Sequence, residues 1–317
     1  DEALPAGADP FVVSPYGEPE LYYSTPVERI QRIDVAKGTD ILLHGPQTVG
    51  GVVQFHSWEA PTREEWSVEG EAGQRAFAKA LARYGNSAGD VRYVVQVMRK
   101  QGDGFRDMGF KVTDFMGKVV FPTSKTGEAT LKLVAYDEAS NTTYVGLTQP
   151  LYLQNQRANT VAPNDTFNVR RYEASLSHLE RIGGNTELRT SLFAYTMQLG
   201  FRQQDFDRTF DPTATYDRVL GPEGVSGAAL YFKPTNALRD RVYDVTGVQL
   251  SLTQNFNTGD VVHKLLVGTR ALYESARRKQ GIGATPTSDV ATPTTDDTTD
   301  ILGFSLFAQD RIAFLDG

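Results

Sequence analysis

The chain has 317 residues, no cysteine, 40% hydrophobic residues and a formal charge of −7. The missing cysteines exclude disulfide frameworks, thiolate metal sites and cysteine nucleophiles, and the acidic balance argues against a general nucleic-acid binder, which needs basic patches to neutralise phosphates. No stretch approaches the roughly 18 to 20 consecutive apolar residues of a spanning helix, a test that a β-barrel escapes because its strands alternate lipid-facing and lumen-facing residues.

Residues 1 to 57 do not read as barrel. They carry Pro15-Tyr16-Gly17-Glu18-Pro19, then Pro26-Val27-Glu28-Arg29-Ile30, Ile33-Asp34-Val35, Lys37-Gly38 and Gly45-Pro46-Gln47-Thr48-Val49-Gly50-Gly51-Val52-Val53. Ile30, Ile33 and Val35 suit a short helix leading into a strand, and Gly50-Gly51 permits close backbone approach beside Val52 and Val53.

From about residue 64 the chain reads as ten strands rich in β-branched, aromatic and small residues, at 64 to 73, 75 to 85, 90 to 100, 110 to 121, 128 to 138, 167 to 180, 187 to 203, 240 to 256, 260 to 277 and 300 to 315. In the last, Leu302, Phe304, Leu306, Ala308, Ile312 and Phe314 share a face opposite Ser305, Gln309 and Arg311, with Asp310 the exception. Val242, Val248, Leu250, Leu252 and Phe256 oppose Arg241, Gln249, Ser251, Thr253 and Asn255. Likewise Val261, Leu265, Val267, Ala271 and Tyr273 oppose Lys264, Gly268, Arg270 and Glu274, and Trp66, Val68 and Ala72 oppose Ser67, Glu69 and Glu71.

The connections sort by length. Short ones at 85 to 90, 122 to 127, 183 to 186 and 257 to 260 carry tight-turn residues. Long ones cover 101 to 109, 139 to 166, 204 to 239 and 278 to 299, the last a polar Thr, Asp and Pro tract. Short turns on one rim and long loops on the other are the pattern of transmembrane barrels; a soluble sandwich has no reason to sort its loops this way. The expected fold is all-β: a partial transmembrane antiparallel β-barrel over 58 to 317, preceded by the C-terminal half of an α+β plug over 1 to 57.

The order of the N-terminal elements resembles the plug of TonB-dependent outer-membrane receptors, where a PVERI-type element precedes GPQ-x-x-GGVV and the first barrel strand, and most closely the ferric dicitrate branch, with PYG-x-P upstream. The resemblance implies a chain that starts inside the plug and stops inside the barrel, residing in the outer membrane of a Gram-negative bacterium. It also implies uptake of a ferric chelate driven by the TonB complex through an earlier segment, contact with outer-membrane lipid and lipopolysaccharide, and no protein-held cofactor or catalysis.

Four positions follow as substrate-binding candidates: Tyr16 and Glu18 at the plug apex, and Arg202 and Arg241 at the outer ends of the seventh and eighth strands. Arginine pairs carboxylates bidentately. Arg241 lies on the polar face of its strand, and Arg202 lies opposite Phe193, Tyr195, Met197, Leu199 and Phe201, so both are expected to point inward. Glu18 stands where ferric dicitrate receptors have a neutral amide. Their further arginine falls near Thr295, expected in a loop. Both departures tell against citrate and leave another ferric siderophore open. Each candidate also has a plainer reading, a solvated loop glutamate or a generic lumen arginine.

Trp66, Tyr93, Tyr136, Tyr195 and Phe314 suit lipid-facing or interfacial positions. Loop tyrosines Tyr144, Tyr152 and Tyr216 could stack on an aromatic chelate. Rival readings are a barrel enzyme and an adhesive barrel. The first needs acidic residues with a histidine at the outer rim, whereas His178 and His263 fall near short turns; the second needs no plug. Of the four histidines, His44, His56, His178 and His263, no two have helical metal-site spacing.

Overall fold

A computed structural model describes residues 23–37, 52–142, 145–221 and 229–314. Tyr16, Glu18, Tyr144, His44 and the Gly45–Gly51 element lie outside the described residues.

The N-terminal unit is small. Pro26 accepts the Arg29 N–H at 2.9 Å, closing a single 3-10 turn over Val27–Arg29. Strand β1 (Ile30–Ala36) follows and pairs antiparallel with β2 (Val52–Ser57). The expected helix is thus one turn that ends at Arg29, and Ile30, Ile33 and Val35 belong to the strand.

The remainder is one antiparallel sheet. Its long strands are β3 (Glu65–Ala72), β4 (Ala78–Ala88), β5 (Val91–Gly102), β6 (Phe110–Pro122), β7 (Gly127–Asn141), β8 (Thr166–Ile182), β9 (Thr186–Asp207), β11 (Leu230–Thr258), β12 (Val261–Gly283) and β13 (Ala291–Phe314), and short β10 (Arg218–Leu220) pairs with β11. Each long strand pairs with its sequence neighbours, giving the order β3 to β13 across the sheet. The ten expected strands are therefore the ten long ones, in an open, partial barrel wall.

The turns sort by rim as expected. On one rim Gly89 and Gly259 open two-residue turns with φ of 60° and 62°, and Gly183 and Gly184 hold 61° and 80° in the three-residue turn between Ile182 and Thr186, left-handed conformations that glycine adopts without strain. The opposite rim carries the long loops, including α1 (Gln149–Gln154). Two stretches expected as loop are strand: β11 begins at Leu230, and β12 and β13 run through Gly283 and from Ala291. The ends of β12 and β13 are mostly polar on both faces, and β11 opens on three consecutive apolar residues, Leu230, Tyr231 and Phe232, so alternation vanishes in each, while β-branched residues such as the threonines of β13 favour extended backbone. Thr295 accordingly sits in β13 opposite Gln280, not in a loop.

The two faces of the sheet differ. Against one face lies the N-terminal unit. This packed face buries Met98, Tyr136, Met197, Leu199, Tyr243 and Ala276 in one cluster with Tyr23, and Val94, Met116, Val120 and Val134 in another with Ala60 and Trp58. The Phe193 ring covers Gly247 on the neighbouring strand, and Phe307 covers Gly268 in the same way.

The other, open face exposes large apolar side chains in rows, among them Trp66 at 73%, Val68 at 73%, Leu302 at 81% and Leu306 at 74%. Trp66, Tyr93 and Phe314 lie on it as expected, whereas Tyr136 and Tyr195 are buried on the packed face. Both tyrosines have partners there: Tyr136 meets Tyr23 edge-on at 5.1 Å between centroids, and the Arg171 guanidinium lies 3.7 Å from the Tyr195 ring centre.

Candidate functional site

The N-terminal unit is fastened to the sheet by charge. The 3-10 turn directs Arg29 at Asp114 of β6, with Nη2 to Oδ1 at 2.5 Å and Nε to Oδ2 at 3.2 Å, both side chains almost wholly buried. The bidentate fork is the geometry that makes such a pair favourable, and removal of either partner would leave a buried charge uncompensated. Arg29 also donates to the Tyr23 hydroxyl at 2.8 Å. Burial raises the Tyr23 phenol pKa, opposed by the nearby Arg29 and Arg171 guanidiniums.

The network extends along the packed face. Arg171 lies over the Tyr23 ring and contacts Glu173 at 3.1 Å, and Glu173 also takes Lys132 at 3.0 Å. Glu28 meets Lys100 at 3.2 Å, and Trp58 donates to the Glu28 carbonyl at 3.2 Å while carrying the Arg83 guanidinium 3.4 Å above its ring. Apart from Arg171 and Glu173, two residues apart on one strand face, these contacts are not foreseeable locally, since Arg29 and Asp114 lie 85 residues apart. The available signal was a lone aspartate amid apolar alternation, in Val112-Thr113-Asp114-Phe115-Met116.

Above this network, toward the long-loop rim, the packed face turns basic. Arg241 shares the face of Tyr243, directly opposite Leu199 on β9 and Arg278 on β12, and Arg239 lies two residues closer to the rim. Arg278 forks onto Asp297 at 3.0 and 3.2 Å, and Arg239 donates to Gln203. Like charges directly opposite on neighbouring strands repel, and the Asp297 carboxylate offsets the charge of Arg278 beside Arg241. Phe167 and Phe201 pack at 4.8 Å beside this group. Arg278 and Arg239 were missed in the sequence because both fall in stretches read as loop.

Arg241 therefore faces inward, as expected, but Arg202 does not. The buried partners on β9 are Phe193, Tyr195, Met197 and Leu199, so the alternate position at 202 falls on the open face with Gln198 and Gly200. The apolar set of β9 is the packed set, the reverse of β11 and β12. Arg202 instead holds loop segments, donating to the Asn164 carbonyl at 3.2 Å and to Asp289 at 2.7 Å. The structure does not bring Arg202 and Arg241 to one face.

His178 and His263 stand apart from this rim. His178 contacts Thr123 at 2.9 Å and His263 contacts Asp310 at 2.8 Å, both beside short turns. Among the described residues no group of three His, Asp or Glu side chains could hold a metal ion.

At the outermost loops Phe210, Tyr216 and Tyr231 form an aromatic group with centroids 5.2 to 5.9 Å apart. Tyr216 donates to Asp207 and accepts from the Asp211 N–H, each at 2.9 Å. Hydrogen bonds from the Thr213 hydroxyl and then its N–H hold the Asp211 carboxyl below its ordinary pKa.

No protein-family profile matches the sequence, and no curated protein matches it. Solved structures do. The chain is similar to the unliganded ferric citrate transporter FecA, with 20% identity, a TM-score of 0.75, and coverage of 91% of this chain and 41% of that one. It is similar to BauA, the ferric preacinetobactin receptor of Acinetobacter baumannii, at 14% identity and TM-score 0.73, over 92% of this chain and 45% of that one. Fiu, the ferric-catecholate import receptor of E. coli K12, gives 14% identity and TM-score 0.70 over 90% and 47%. The fold is thus that of part of the barrel of such receptors, and the chain spans less than half their length.

Proposed function

We propose that this chain is part of a TonB-dependent receptor in the outer membrane of a Gram-negative bacterium, taking up a ferric chelate. The observation that carries the reading is the inverted sheet: apolar rows on the open face and a buried charged network on the face holding the N-terminal unit. A water-soluble monomer rarely exposes contiguous apolar patches beyond a few hundred Å², whereas a barrel wall in lipid needs one. The N-terminal unit reads as the plug, 1 to 57, and the sheet as the first half of the barrel. The likeness to ferric citrate, catecholate and preacinetobactin receptors supports the substrate class.

For an anionic chelate such as ferric citrate, Arg241 and Arg278 with Arg239 form the receiving group on the packed face above the plug. Fixed guanidiniums pair carboxylates without reorganising. Tyr16 and Glu18 keep their proposed place at the plug apex, and Arg202 holds the loops that frame the entrance. The TonB complex, acting through an earlier segment, would move the plug, and the metal arrives with its ligand, so neither a cofactor nor catalysis by the protein enters this reading.

The test is ferric citrate binding to the full-length receptor followed by intrinsic fluorescence. Saturable binding weakened by Arg241→Ala and Arg278→Ala is expected. Absence of binding in a folded receptor would move the substrate to another ferric chelate. Retention of full affinity in both variants would remove the site.

A further inference from the structure

Toward the long-loop rim, two transverse rows on the packed face divide the wall into an apolar half and a charged half. We infer that the ligand received there is an amphiphilic ferric chelate, with a head of low negative charge and an apolar arm. The inference rests on the chelate-uptake reading and names the class of chelate.

The strand register defines the rows. In the upper one Phe110, Ser140, Phe167 and Phe201 follow one another across β6 to β9, and Arg239, Gln280 and Thr295 continue it across β11 to β13. In the lower one Val112, Glu138, Val169 and Leu199 lead in the same way to Arg241, Arg278 and Asp297. Both rows change character between β9 and β11, where Phe201 is directly opposite Arg239 and Leu199 directly opposite Arg241. The boundary is a line along the wall.

The two polar members of the apolar half are already engaged. Ser140 donates to the Phe167 carbonyl at 3.2 Å, and Glu138 accepts from the Tyr136 hydroxyl at 2.6 Å. Phe167 and Phe201 pack at 4.8 Å with a tilt of 38° and are only partly buried, resting on the cluster that holds Val169 and Leu199. Their exposed edges give an apolar arm dispersion contacts and the offset or edge-on geometry that aromatic rings favour.

The charged half is modest. Across the two rows Arg239, Arg241 and Arg278 carry three positive charges, and Asp297 and Glu138 carry two negative ones, a difference of one. Gln280 and Thr295 add hydrogen bonding without charge. A singly charged head is matched by this set through charge-assisted hydrogen bonds, whereas a densely charged anion meets too few cations. Ferric citrate, polar throughout, engages the charged half alone and leaves the rings against water. A chelate with an apolar arm meets both halves.

The test is isothermal titration calorimetry on the full-length receptor with ferric citrate and with two ferric complexes of a citrate-based dihydroxamate chelator. These two differ only in the acyl group on each hydroxamate, acetyl in one and benzoyl in the other. Wild type should bind the benzoyl complex at least tenfold more tightly than the acetyl complex. Phe167→Ala combined with Phe201→Ala should bring the two affinities within twofold, and Arg241→Ala should weaken both complexes by a similar factor. Equal affinities in wild type, or a tenfold preference that survives loss of both rings, overturns the inference. If the double variant does not fold, Phe167→Leu decides, since it keeps apolar bulk at that position: the preference should fall at least threefold, and an unchanged preference overturns the inference. Binding of ferric citrate with no preference between the two complexes removes the apolar arm and leaves chelate uptake standing. Failure of a folded receptor to bind any of the three removes both.

Discussion

The same strands present two opposite chemistries. On the packed face Asp114, Lys118, Lys132, Arg171 and Glu274 are buried beside methionines and tyrosines, and on the open face leucines, valines and phenylalanines stand exposed. A soluble sheet places its charges outward because an unpaired buried charge is expensive. Here the charges are buried because each meets a partner, Arg29 of the N-terminal unit for Asp114 and Glu173 of the sheet itself for Lys132 and Arg171, and the apolar rows need a solvent that is not water. Burial and polarity are thus separate variables in this molecule, joined only through what lies beyond each face.

The contrast is broken most severely by removing one partner of the buried fork. Asp114→Ala should destabilise docking of the N-terminal unit by about 3 to 5 kcal/mol, read as faster hydrogen exchange in β1 while the sheet amides keep their protection. Arg29→Met combined with Asp114→Leu should recover much of that loss, since a well-packed apolar pair often replaces an ion pair without cost.

A slightly smaller effect tests the open face. Leu192→Arg should cost about 2 to 4 kcal/mol in a bilayer if its row lies near the midplane, and Ser191→Arg, one residue away and on the other face, should cost clearly less. Urea unfolding from liposomes measures both, and equal costs would remove the distinction between the faces.

On ligand binding, Arg241→Ala should weaken ferric citrate by about tenfold, equivalent to about 1.4 kcal/mol, with Arg202→Ala closer to wild type because its side chain is committed to Asn164 and Asp289. Fluorescence titration of both variants compares the two faces at the same rim. The smallest expected effect is that of pH on the outer loop. Asp211 has a depressed pKa in the folded loop, so its contribution is full above the ordinary carboxylate value of about 3.9 and fades as pH falls through the folded value. Hydrogen exchange between Asp211 and Tyr216 should accelerate over that acid range in the native protein and lose this dependence in Asp211→Asn.

Where only one face of a strand was apolar, its orientation was legible. Leu302 to Phe314 in β13, Val248 to Phe256 in β11 and Trp66 to Ala72 in β3 all turned their apolar sets to the open face. In β9 both faces carry apolar residues, with Leu192 and Ala194 on one side and Phe193, Tyr195 and Met197 on the other, so period two identified a strand without saying which side met the N-terminal unit. Arg202 was misplaced for that reason. Arg278 was hidden because the polar ends of β12 and β13 lack alternation. Asp114 and Glu173 could not be assigned partners because those contacts arise from register across several strands and from packing of the N-terminal unit.

The strand order has a consequence for how such a wall is put together. Every long strand pairs with the long strands next to it in the chain, so each satisfies its backbone hydrogen bonds against near neighbours in sequence. Contacts of short sequence separation close with little loop entropy. The segment that occupies the packed face precedes the sheet in the chain, and its anchor points, Arg29 for Asp114 and Trp58 for Arg83, meet strands β6 and β4 that follow it.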